Sequence, residues 1–151
     1  MIKRNAGFSM IELMIAIAIV GILARIAYPN YVAQVQKGKR SDAKVALNDV
    51  AQSMQRCFTT QSTYKPATAG TCPVVDKVQT AAGVTSPRGY YVVKVAAADL
   101  DTTRYVLKAT AVSGKGQDKD TKCKTFTLDQ TGKRYAEDSA STPNDTTTTC
   151  W

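Results

Sequence analysis

Residues 3–29 read KRNAGFSMIELMIAIAIVGILARIAYP, and this stretch decides the fold. Lys3 and Arg4 precede Gly7, and the run from Leu13 to Ala24 is unbroken in its apolar character. From Phe8 to Tyr28 there are 21 residues, of which only Ser9, Glu12 and Arg25 are clearly polar. A helix that crosses a bilayer needs about 20 such residues, so the stretch reads as a membrane segment. Glu12 is its anomaly. A charge at the bilayer centre costs about 2.5–3.5 kcal/mol on insertion scales unless it is paired, and nothing between Leu13 and Ala24 can pair with it.

An ordinary secretory signal carries small residues one and three positions before its cut. Cutting after Ala27 would put Arg25 in the outer of those places, and no cysteine follows the run to accept a lipid. The residues instead resemble another pattern. G-F-S-M-I-E-L followed by an apolar run and Y-P is similar to the type IV pilins and related pseudopilins. The resemblance implies cleavage between Gly7 and Phe8 by a prepilin peptidase, N-methylation of Phe8, and a pairing of Glu12 with the terminal amine of a neighbouring subunit during filament assembly. The missing partner of the carboxylate would then belong to another molecule.

Beyond the anchor, 151 residues leave room for one modest domain. The net charge of +8 falls to +6 when Lys3 and Arg4 leave with the leader, 18 basic residues then facing 12 acidic ones. Net charge bears on encounter and solubility rather than on fold, and no basic block longer than Lys39-Arg40 suggests a dedicated nucleic-acid domain. Cys57, Cys72, Cys123 and Cys150 come with no histidine and no C-x-x-C spacing, which argues against zinc ribbons and thiol redox motifs. An even count beyond an export segment points to two disulfides in an oxidising compartment. Three pairings are possible; Cys57–Cys72 and Cys123–Cys150 are expected because each is sequential and flanks a loop-like segment. Lys3 and Arg4 stand against Arg25, Lys37, Lys39, Arg40 and Lys44 on the other side of the run, the reverse of the positive-inside tendency. The cysteines and the leader outweigh that count, so the C-terminal bulk is expected outside the cytoplasmic membrane.

The helix is expected to continue past the membrane to about Phe58. Pro29, which removes a ladder bond, and Gly21 are its expected kink points. Val32, Val35, Ala43, Leu47, Val50, Met54 and Cys57 recur at spacings of three and four, an apolar stripe. Gln34, Lys37, Arg40, Lys44, Asn48, Gln52 and Gln55 occupy much of the other face. Arg25 reads as an interface anchor whose long side chain snorkels to headgroups. Residues 59–88 read as a loop region. GYYVVKVAA (89–97) and TRYVLKATAV (103–112) read as antiparallel strands around a turn at Asp99–Asp101. A third strand is expected at 125–128, a turn at 129–132 and a short fourth strand at 133–135. Asp99, Asp101, Asp118 and Asp120 imitate a calcium loop but lack its glycine and distal glutamate, and read as solvated turn acids. Residues 136–151 cannot bury enough apolar surface to fold alone. TFTLDQTGKRY and the closing Cys-Trp resemble the PilE-like minor pilins, and the Cys123–Cys150 region resembles the disulfide-bounded C-terminal region of type IV pilins.

The expected organisation is therefore α+β: leader 1–7, membrane or filament-core helix 8–28, its amphipathic continuation 29–58, an αβ-loop 59–88, a four-stranded antiparallel sheet 89–135, and a disulfide-bounded region 123–151. No catalytic triad, phosphate loop, metal site or cofactor is expected, and the chain reads as a non-enzymatic structural subunit. The resemblance implies a minor pilin with other pilins, a prepilin peptidase/methyltransferase and the inner membrane as partners, and twitching motility, adhesion or DNA uptake as outcomes. The alternatives are a major pilin, a secretion-system pseudopilin, or a membrane-tethered module that binds DNA or a surface ligand through Lys115, Lys119, Lys122, Lys124, Lys133 and Arg134. The assignment of Glu12 is directly testable. Glu12→Ala should be cleaved and folded yet depleted from sheared filaments, because a neutral side chain enters hydrocarbon more easily but no longer attracts a partner amine. Equal incorporation of variant and wild type at matched expression would refute that role.

Overall fold

The computed structural model describes residues 9–140 and 144–151. The chain divides into two compact units, one ending at Val35 and one comprising Gln36–Trp151. Helix α1 (Met10–Gln61) supplies residues to both. In the first unit its large apolar side chains, Ile11, Leu13, Ile15, Ile22 and Ile26 among them, are exposed. This stretch has the length and composition of a membrane span, and none of it is buried in the chain. Gly21 and Pro29 both lie inside α1, which continues through them.

The second unit holds the core. On α1 the buried residues Ala43, Ala46, Leu47, Val50, Met54 and Cys57 follow the three-and-four spacing of one helix face. They share one apolar cluster with Tyr91, Val93, Leu107, Ala109 and Phe126. The sheet that supplies the latter has five antiparallel strands in the order β1-β2-β3-β4-β5: β1 (Val84–Thr85), β2 (Tyr91–Leu100), β3 (Tyr105–Ala111), β4 (Thr125–Asp129) and β5 (Arg134–Glu137). Alternation along Tyr91–Val95 of β2 and along β3 and β4 turns one face to the helix and the other to solvent; beyond Val95 the β2–β3 register shifts before Leu100 pairs with Tyr105. Full burial of a Leu or Val side chain contributes about 1.5–3 kcal/mol, so this alternation fixes the register of the sheet.

Three features correct the sequence reading. The sheet has five strands rather than four, because β1 pairs Val84 with Val93 and Thr85 with Val92. Two residues are too few to show alternation, and the close approach is permitted by Gly83. It sits at φ +66°, and an added Cβ there would lie 2.7 Å from the Val93 carbonyl oxygen. Residues 59–88 are not simply a loop: they also contain α2 (Pro73–Gln79), a seven-residue helix that starts on proline, where the missing N–H is no loss. Its Val75 and Val78 join the core. β2 also runs through Asp99 to Leu100, so the reversal falls later, where the Asp101 N–H donates to the Arg104 carbonyl.

Disulfides join Cys57 to Cys72 and Cys123 to Cys150, with Cα separations of 5.9 and 5.8 Å. The second draws residues 144–151 along the outer edge of β5. There the Thr146 N–H donates to the Ala136 carbonyl, the Ala136 N–H to the Thr147 hydroxyl, and the Trp151 Nε1–H to the Tyr135 carbonyl. A short helix, α3 (Thr147–Cys150), closes the segment. The sheet edge is thereby covered, which removes a template for strand addition.

Tyr91 and Tyr105 are almost fully buried. Burial pushes the phenol of Tyr91 well up and that of Tyr105 to about 12, the latter reinforced by Tyr64. An unfolded tyrosine titrates near 10, so between that value and the folded one the native state binds more protons than the unfolded state. Stability from these phenols is complete below pH ~10 and is lost as pH rises from there towards about 12. Thermal melts of wild type and Tyr105→Phe should therefore diverge in slope above pH ~10, the variant falling less steeply; parallel curves would contradict the neutral, buried phenol.

Candidate functional site

One turn of α1 organises the polar contacts of the second unit. Arg40 donates from Nε and Nη2 to the two oxygens of Asp120, at 2.7 and 3.0 Å, and both side chains are largely buried. Asp120 also accepts from Gln117 Nε2 and from the Lys122 and Cys123 N–H groups. Asp42, 3% exposed, accepts the Ser86 hydroxyl and the Arg88 and Tyr90 N–H groups. Lys44 donates to the main-chain oxygen of Trp151 at 2.8 Å. Its ammonium is pushed below the usual lysine value by burial and then by Arg40, Arg134 and Lys37. Lys39 lies 4.6 Å above the Tyr90 ring. These contacts leave the far face of the sheet free.

On that face the register sets one row across four strands. Lys94 of β2 stands opposite Lys108 of β3, Lys108 opposite Thr127 of β4, and Thr127 opposite Tyr135 of β5. Both lysines and Tyr135 are exposed. Neither ammonium meets a carboxylate among the described residues. Directly opposed side chains in an antiparallel pair have Cβ atoms about 4.5–5.5 Å apart, and like charges there are destabilising. Glu137 lies on the same face one row away, opposite Thr125. The row presents two cations, a hydroxyl and an aromatic ring, a combination suited to a polyanion that also offers flat surfaces.

The residues singled out in the sequence are distributed as follows. Gly7 and Phe8 lie outside the described residues. Glu12 is exposed in the first turn of α1, and Arg25 is exposed further along it. The six basic residues named for ligand binding fall into two groups at opposite ends of β4. Lys115, Lys119, Lys122 and Lys124 belong to the connection before it, where Lys124 Nζ donates to the Asp118 carbonyl. Lys133 and Arg134 follow the turn after it, Arg134 lying 5.2 Å from the Trp151 ring. Asp120 is corrected from a solvated turn acid to the buried partner of Arg40. No cluster of three metal-ligating side chains occurs among the described residues.

Sequence reasoning missed Lys94 and Lys108. The signal was present: in YYVVKVAA and YVLKAT each lysine is the one charged residue at an outward position of an alternating strand, and pairing the two strands about their turn sets them side by side. It also missed Asp42, whose place beside the apolar stripe gives no sign of its partners 44 to 48 residues away.

The family model described as type IV minor pilin ComP, DNA uptake sequence receptor, matches residues 29–127. The chain belongs to that family. A second model, the prokaryotic N-terminal methylation motif, matches residues 2–28. The ComP-family chain is also 43% identical over 61 residues to the type IV major pilin protein PilA of Myxococcus xanthus strain DK1622. That match covers 40% of this chain and 28% of the length of PilA. Among solved structures it is similar to the non-core minor pilin PilV of Neisseria meningitidis, with a TM-score of 0.51 and 16% identity over 72% of this chain and 93% of that one. The likeness identifies the α+β pilin fold, a long N-terminal helix packed on an antiparallel sheet. The family is one of structural pilins rather than of enzymes.

Proposed function

We propose that this chain is a minor pilin of a type IV pilus whose Gln36–Trp151 unit captures DNA for uptake. The observation that carries the reading is the opposed, unneutralised pair Lys94–Lys108 on the outward face of the sheet, in a chain whose family is described as a DNA uptake sequence receptor. Repulsion between two facing ammonium groups is relieved when phosphates lie over both. Lys115, Lys119 and Lys122 in the connection before β4, and Lys133 after it, add further positive charge to the same unit.

The remaining parts follow the same reading. A prepilin peptidase cuts between Gly7 and Phe8 and Phe8 is methylated. Residues 8–28 hold the subunit in the inner membrane with the C-terminal unit in the periplasm, and later form filament core, with Gly21 and Pro29 as the points where the helix bends. Glu12 pairs with the amine of a neighbouring subunit. The two disulfides suit an oxidising compartment. The role is structural and non-catalytic.

Lys108→Gln tests the DNA reading with two readouts of opposite sign. In the full chain in detergent, duplex DNA affinity should fall and the slope of log affinity against log salt should shrink by about 1, as for a lost phosphate contact. The thermal midpoint should rise, because removing one of two facing like charges is worth roughly 0.2–1 kcal/mol. Unchanged affinity and salt slope would sink the assignment of this face.

A further inference from the structure

A cleft of about 410 Å³ opens between α1 and the turn joining β4 to β5. Asn48, Gln52 and Arg56 line it from the helix, spaced by four and so on one face. Arg134 lines it from β5, while Leu128 and Tyr105 contribute apolar surface. The carboxamides of Asn48 and Gln52 hold no hydrogen bond among the described residues, and neither guanidinium pairs with a carboxylate among them; Arg56 reaches only the Ser53 hydroxyl. Asp129 is the sole carboxylate in the lining, and its Oδ1 is already committed to the Thr131 N–H and hydroxyl and the Lys133 N–H.

The chemistry of this wall is specific. A carboxamide offers a donor and an acceptor in one plane, the complement of a base edge, with adenine the best-known match. A guanidinium offers a fork of N–H donors that fits phosphate oxygens. Small-ligand pockets span roughly 300–1,000 Å³, so the cleft has the size for one base with its phosphate. We propose that this cleft takes one unpaired nucleotide of a DNA strand, its phosphate held by Arg56 at one end of the wall and its base edge by Asn48 and Gln52. The inference rests on the DNA-capturing role proposed above, and places unpaired bases at a site distinct from the Lys94–Lys108 row.

The test uses the full chain in detergent, titrated separately with a labelled single-stranded oligonucleotide and with the same sequence as a blunt duplex. Asn48→Ala/Gln52→Ala and Arg56→Gln alter exposed side chains that hold no other segment in place. Each variant should bind the single strand on the order of tenfold more weakly, the loss of one good base-edge or charged contact, and bind the duplex as wild type does. Deoxyadenosine monophosphate should displace the single strand and leave the duplex bound. Equal loss of both forms of DNA, or loss of neither, overturns the proposal. A wild type that binds duplex but no single strand overturns it while leaving the DNA-capturing role intact; one that binds neither overturns both. Variants that keep the single strand but vanish from sheared filaments would make the cleft a subunit contact, and the proposal would fall.

Discussion

Arg40 and Asp42 carry opposite charges into the interior within one turn of α1, and the arrangement of the second unit depends on how those charges are met. Asp120 meets the guanidinium with both oxygens, and in doing so sets the connection that ends at Cys123. The Ser86–Tyr90 turn meets the carboxylate and delivers β2 to the core. A buried ion pair adds little net stability over an apolar one, but removing one partner typically costs about 3–5 kcal/mol, because the other is left charged and dry. The Arg40–Asp120 pair and the hydrogen bonds to Asp42 therefore act as registration points. An apolar helix face slides along a sheet at small cost, whereas a guanidinium fork on a carboxylate admits one position.

With the inward face occupied by α1, and the β5 edge covered by residues 144–151 through Cys123–Cys150, the outward face of the sheet is the broad surface left for recognition. Trp151 belongs to the inward side: its ring packs edge-on against Phe126, with Arg134 5.2 Å and Lys44 5.7 Å away. The division of labour is electrostatic. Cations that face α1 have partners in the chain or stack on rings, and the two lysines at the middle of the outward face have neither among the described residues.

Much of this was legible from sequence, for reasons that differ by element. The apolar N-terminal half of α1, long enough for a membrane span, declares itself through an unbroken apolar run, and the buried part of α1 through its three-and-four stripe. β2, β3 and β4 show the alternation of half-buried strands. α2 and β1, with seven and two residues, are shorter than the periods that would reveal them. Arg40 read as part of the polar face of a helix, and Asp120 as a turn acid, because each is polar in its local context. Only the fold brings them together across 80 residues. The opposed lysines were hidden differently: the pattern held them, but they emerge only when two strands are placed in register.

The account rests on a subunit that leaves the membrane and enters a filament. Its most direct test is the intact mass of the protein recovered from sheared pili under non-reducing conditions. The account predicts a minor filament component that begins at Phe8, carries one methyl group on its terminal amine and retains two disulfides. Recovery of a chain that still carries Lys3 and Arg4, confined to the membrane fraction and absent from filaments, would contradict it.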